Sequence, residues 1–153
     1  MFEIECKNPD EIILTTKKTS IKFNVAEETI DADLNVGKIE GPGEFEIGDV
    51  AIRGLATGKN GERTAYEAVV GNVHIGIIGD NEEAAMLDEL GVSDVLCTSS
   101  VRAVREVEPK VVIAMGNVDG MVMELKTAPR AEKKYKLKNF DALPAALEVI
   151  ALT

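Results

Sequence analysis

Histidine is almost absent from this chain: among 153 residues there is one, His74. A catalytic zinc takes about three protein ligands plus water, so a metal centre built on imidazoles is excluded at the outset. Tryptophan is missing and aromatic residues make up 4% of the chain, which removes the usual anchors of large recognition surfaces. Lys and Arg number 17 against 27 Asp and Glu, a formal net charge of −10. Phosphate backbones are held by concentrated cations that displace counterions, so nucleic acid is not an expected partner. No apolar run approaches the ~20 residues that span a bilayer. The start, Met1-Phe2-Glu3-Ile4-Glu5, is acidic and strand-like, unlike a signal peptide. Cys6 and Cys97 are the only cysteines and have no paired spacing, so free thiols are expected. The expectation is an acidic cytoplasmic protein without membrane attachment.

What is present describes one domain over 1–153, with 45% apolar and 29% charged residues. The first half reads as strands and turns. Glu11 to Thr16 and Ser20 to Asn24 flank Lys17-Lys18-Thr19 as a hairpin. Phe2-Ile4-Cys6 and Ile21-Phe23-Val25 alternate with polar residues at period two. Asn24 to Asn35 is acidic and reads as a connection or a poorly packed strand. Gly48-Asp49 joins Phe45-Glu46-Ile47 to Val50-Ala51-Ile52, Lys59-Asn60-Gly61-Glu62 is a second turn, and Gly71-Asn72 joins Thr64–Val70 to a strand ending at Ile78.

The second half changes character. Asn81 to Leu90 reads as a helix with a capping-box-like start at Asp80 and Glu83 and a stop at Gly91. Asp94 to Thr98 is a short strand, and Ser99 is placed to cap a helix running to Val107. Lys110 to Met115 is a continuous apolar strand. Asp119 to Lys126 reads as a helix, and Leu147 to Leu152 as the closing strand. Strands alternating with helices imply a parallel or mixed sheet covered by helices, an α/β (α+β) domain. The basic cluster Arg130 to Lys138 places Lys134, Lys136 and Lys138 at one parity, as on the solvent face of a strand.

Single candidate groups lead to little chemistry. His74 lies six residues before Asp80 on one expected strand, roughly 20 Å away, so the two cannot share an ion. Cys97 has no histidine near it in the expected strand order and reads as a core thiol. Glu44 with Glu46, and Glu82 with Glu83, lack the alternating spacing of a calcium loop. Gly41-Pro42-Gly43 precedes a strand and carries no Lys, so it is not a phosphate loop.

The order of segments carries more. Gly41-Pro42-Gly43-Glu44-Phe45-Glu46, Ile75-Gly76-Ile77-Ile78-Gly79-Asp80, Glu89-Leu90-Gly91, Asp94-Val95-Leu96, Val107-Glu108-Pro109-Lys110-Val111-Val112-Ile113 and Asn139-Phe140-Asp141-Ala142-Leu143-Pro144 follow one another along the chain. They resemble metallo-β-lactamase-fold hydrolases, in the branch related to ascorbate-phosphate lactonases, over roughly three quarters of the length. The resemblance implies an αββα sandwich, truncated in its N-terminal half.

It also exposes what has gone. The family carries a His-x-His-x-Asp-His loop, where the interval from Phe23 to Glu40 has no histidine. After Gly79-Asp80 the residues are Asn81-Glu82-Glu83, and the family's Pro-Met-His is matched by Ala114-Met115-Gly116-Asn117. Asp80 is the only retained ligand-like position. The resemblance therefore implies a pseudoenzyme: a degenerate, non-catalytic module without a metal centre or other cofactor, binding a partner or itself. A pocket for a small-molecule ligand is expected at Asp80, Asn81, Ser99, Ser100, Gly116 and Asn117, at strand C-terminal ends. A shortened sandwich is expected to bury its exposed apolar surface in a homodimer. The alternative is a hydrolase of a phosphorylated or lactone-type substrate, using zinc or another divalent metal held by Asp80 and further acids.

Overall fold

The computed structural model describes residues 1–32, 38–57, 63–79, 87–88, 90 and 93–152. In chain order the strands of the first half are β1 (Phe2–Asn8), β2 (Glu11–Thr15), β3 (Ser20–Asn24), β4 (Thr29–Ala32), β5 (Lys38–Glu40), β6 (Gly43–Ile47), β7 (Val50–Thr57), β8 (Arg63–Val70) and β9 (Val73–Ile77). There follow β10 (Val95–Thr98), helix α1 (Val101–Val107), β11 (Val111–Ala114), helix α2 (Val118–Leu125), β12 (Pro129–Glu132), β13 (Tyr135–Leu137), a 3-10 turn (Phe140–Ala142) and β14 (Glu148–Leu152).

Period-two alternation builds the first sheet, whose order is β13-β1-β2-β3-β4-β5, antiparallel throughout. Its apolar set, Phe2, Ile4, Ile12, Leu14, Ile21, Phe23, Ile30 and Ala32, is buried. The second sheet has order β12-β14-β11-β10-β9-β8-β7-β6. It is antiparallel from β6 to β9, where two-residue turns such as Gly48-Asp49 suffice, and parallel from β9 onward. Gly48 has φ +60, the backbone that such a turn demands.

Two cores result. Between the sheets, the set above meets Ile52, Tyr66, Ala68, Ile75, Ile77, Val95, Cys97, Val111 and Ile113. On the far side of the second sheet, Ile78, Leu96, Val112 and Val149 pack with Ala103, Val104 and Val107 of α1 and Met121 of α2. Strands β10 and β11 are buried on both faces, hence the apolar runs Val95–Cys97 and Val111–Ala114. This is the mixed α/β sandwich expected. No helix among the described residues is long and apolar enough to cross a membrane.

Both described helices serve the second sheet, and the outer face of the first presents Glu3, Glu5, Lys22, Asp31 and Lys136. Lys134 bridges Glu3 and Glu5 at 3.6 and 3.7 Å, and Lys136 meets Glu3 at 3.7 Å. Among the described residues, the only exposed large apolar side chains are Met1, Met123 and Phe140. Charge pairs thus cover this face among the described residues.

Local expectations hold in most places and fail in a few. The Asn24–Asn35 stretch contains an ordered strand, β4, because Ile30 and Ala32 reach the inter-sheet core. The cap of α1 is Ser100, not Ser99: its Oγ accepts from Ala103 N at 3.1 Å. The basic cluster divides into edge strand β12 and strand β13, with Lys136 outward between buried Tyr135 and Leu137. The Lys59–Glu62 turn, Asp80, and the Asn81–Leu90 helix lie outside the described residues, except Leu87, Asp88 and Leu90; Leu87 and Leu90 join the helix-side core.

Candidate functional site

Strands β9, β10 and β11 run parallel, so their C-terminal ends open at one rim of the sandwich. The ladder continues past them: Ile78 N donates to Cys97 O at 3.0 Å and Met115 N to Thr98 O at 3.0 Å. Two turns of the first sheet come down on this rim. One contains Pro9 and Asp10, the other Val25 and Ala26, and Val25 N donates to Asp10 O at 2.9 Å. Asparagine side chains shape both: Asn8 Oδ1 accepts from Asp10 N, and Asn24 Oδ1 from Ala26 N and Glu27 N.

Glycines stand where both turns approach. A Cβ on Gly79 would lie 3.3 Å from Val25 Cβ, closer than side chains normally pack, whereas one on Gly116 would meet Pro9 Cβ at an ordinary 3.5 Å. Gly116 also has φ +83, which other residues adopt only under strain. Between turns and strand ends lies a cleft of about 330 Å³, lined by Pro9, Asp10, Val25, Ala26, Arg63, Gly79, Ser99 and Met115.

Arg63 is held at the cleft by Glu28, the last residue before β4. Arg63 Nε donates to Glu28 Oε2 at 2.7 Å, and Thr64 N donates to Glu28 Oε1. The backbone of Glu28 works too: its carbonyl accepts from Tyr66 Oη at 2.7 Å. These three bonds fasten a turn of the first sheet to β8 of the second, with Glu28 itself at φ 58. Tyr66 is buried, and burial, followed by the charges of Glu28 and Glu40, pushes its phenol up to about 12, so it remains a donor at neutral pH.

The expected site residues separate. Ser99 lines the cleft, and its carbonyl accepts from Asn117 Nδ2 at 3.2 Å. Asn117 starts α2 without a side-chain capping bond. Ser100 spends its hydroxyl on capping α1. Gly116 faces Pro9, and Asp80 and Asn81 lie outside the described residues. What the sequence reading missed is the roof, Asp10 and the Glu28–Arg63 pair, joined across 35 positions by folding.

A resident metal does not fit the described part of this cleft. Asp10 is the one carboxylate among its lining residues, and Arg63 adds a positive charge. No group of three or more His, Cys, Asp or Glu among the described residues could hold a metal ion. His74 lies toward the opposite end of β9, with its backbone N donating to Asp94 Oδ2 at 2.9 Å. Cys97 points into the inter-sheet core, fully buried, and burial pushes its thiol far above the ordinary range.

No protein-family model matches this chain, and no curated protein does. Among solved structures it is similar to the crystal structure of a candidate Zn-dependent hydrolase of the metallo-β-lactamase superfamily from Thermotoga maritima. The TM-score is 0.74 at 17% sequence identity, over 99% of this chain and 98% of that one. At that identity the likeness is one of fold. Its two sheets, the helices on the second sheet and the cleft at the parallel strand ends give this chain the metallo-β-lactamase fold.

Proposed function

We propose that this chain is a non-catalytic binding module, a degenerate member of the superfamily whose fold it has, in the branch related to ascorbate-phosphate lactonases. It takes a small polar molecule in the cleft between Asp10, Arg63 and Ser99. One observation carries this reading: the polar side chains that line the cleft are a guanidinium, a hydroxyl and a single carboxylate. Such a set hydrogen-bonds and orients a polar ligand, whereas a catalytic zinc needs about three ligand side chains. The glycine at 116 supports it further, because a ligand side chain there would need a strained backbone at φ +83.

The alternative is a metal-dependent hydrolase of a small phosphorylated or lactone-type substrate. The description of the Thermotoga maritima structure favours it, and Asp80 would be its first ligand. Elemental analysis of protein purified without chelator separates the two. The expected result is zinc, manganese and iron each well below one per chain; stoichiometric metal overturns the binding-module reading. A homodimer remains a separate proposal, without a described apolar face to carry it, and sedimentation at micromolar concentration tests it.

A further inference from the structure

A second polar centre lies on the helix-side face of the second sheet, away from the cleft. Here β6, β7 and β8 surround a hollow of about 440 Å³ lined by Glu44, Phe45, Glu46, Ala51, Ile52, Arg53, Glu67 and Val69. Register explains the grouping: Glu44 stands opposite Arg53, and Arg53 opposite Glu67. All three therefore project to one side of the sheet.

Glu67 is the unusual member. It is a carboxylate in mid-strand with its side chain 5% exposed. Its Oε1 accepts from Arg53 Nη2 at 3.3 Å and lies 3.7 Å from His74 Nδ1. Its Oε2 is buried and has no hydrogen-bond partner, and neither has His74 Nδ1. A buried carboxylate oxygen without a donor is costly. Three carboxylates face one guanidinium around the hollow, so an anion is repelled and a cation attracted. No three such groups among the described residues are arranged to hold a metal ion. A compact organic cation remains, and Ala51 and Val69, on the same face as Arg53 and Glu67, offer apolar surface to a short carbon chain behind it.

We propose that this hollow binds the ammonium group of a small alkylamine, which donates to Glu67 and is flanked by Glu44 and Glu46. An ammonium carries three donors and no acceptor, the complement of a carboxylate lacking one donor. His74 Nδ1 lies beside Glu67 Oε1 at 3.7 Å, so occupancy is felt at the imidazole.

His74 is the only histidine, and its imidazole resonances therefore report this site without assignment ambiguity. In an NMR titration with n-butylamine at neutral pH, the His74 signals are expected to shift saturably. Butanol and butyrate are expected to leave them unmoved. Glu67→Gln is expected to weaken the response at least about tenfold, the loss of one charge-assisted contact. If that variant does not fold, the Glu44→Gln/Glu46→Gln double variant, at exposed positions, is expected to weaken it several-fold. No saturable shift with millimolar n-butylamine, or the same shift with butanol, overturns the proposal. So does an undiminished response in whichever variant folds.

Discussion

Replacing Glu28 tests how the two sheets are fastened at the mouth of the cleft. In Glu28→Ala the Thr64 N–H loses its acceptor while remaining buried, which costs about 1–3 kcal/mol. The Arg63 pair is partly solvated, with Arg63 39% and Glu28 17% exposed, so its loss adds only about 0–1 kcal/mol. The carbonyl that receives Tyr66 is kept. Alanine must still adopt φ near 58, so no strain is relieved. The total is about 1–4 kcal/mol, with Tm lowered by roughly 2–4 °C for each kcal/mol in a domain of this size. Glu28→Gly loses the same side-chain bonds but accepts the left-handed backbone freely, and is expected to be about 1 kcal/mol more stable than Glu28→Ala. That order reverses the usual ranking of the two residues. Urea denaturation of the parent and both variants measures it. A Glu28→Ala protein within about 0.5 kcal/mol of the parent, or a glycine variant less stable than the alanine one, refutes the reasoning.

Two further outcomes follow from the same geometry. Burial raises both Tyr66 and Tyr135 to about 12, above the unfolded value of about 10. Between these pH values the unfolded chain has lost phenol protons that the folded chain keeps, so stability is full below pH ~10 and falls as pH rises toward ~12. Absorbance at the phenolate band checks this: the native titration is expected near pH 12 and the denatured one near 10, and a native midpoint near 10 contradicts it. Gly116→His is expected to leave metal content unchanged and to lower stability by about 1–2 kcal/mol, from φ +83 alone. Stoichiometric metal in that variant would show that the rim can rebuild a ligand set.

Much of the fold was legible because its signals are local. The Lys17–Thr19 and Gly48-Asp49 hairpins, the unbroken apolar run at Val111–Ala114 and the short helices after β10 and β11 each follow from period, turn chemistry or composition within a few residues. The missed features are those whose partners lie far along the chain. Strand β4 sits in an acidic stretch that carries little strand signal by itself; Ile30 and Ala32 order it by entering a core that distant residues supply. Ser100 replaces Ser99 as the helix cap by one residue, a distance that sequence signals resolve poorly.

The sequence by itself determined the class of fold and the poverty of metal ligands. Those are properties of what residue types occur and how they repeat, and a single histidine is a count that no folding can alter. Tertiary structure decided which groups meet. It carried Glu28 to Arg63 and Pro9 to Gly116, put His74 beside Glu67 and away from the cleft, and clothed the outer face of the first sheet in charge pairs. Register between strands and the descent of turns onto a sheet rim depend on packing summed over both cores. No single stretch of sequence encodes them, and they set the chemistry each site can do.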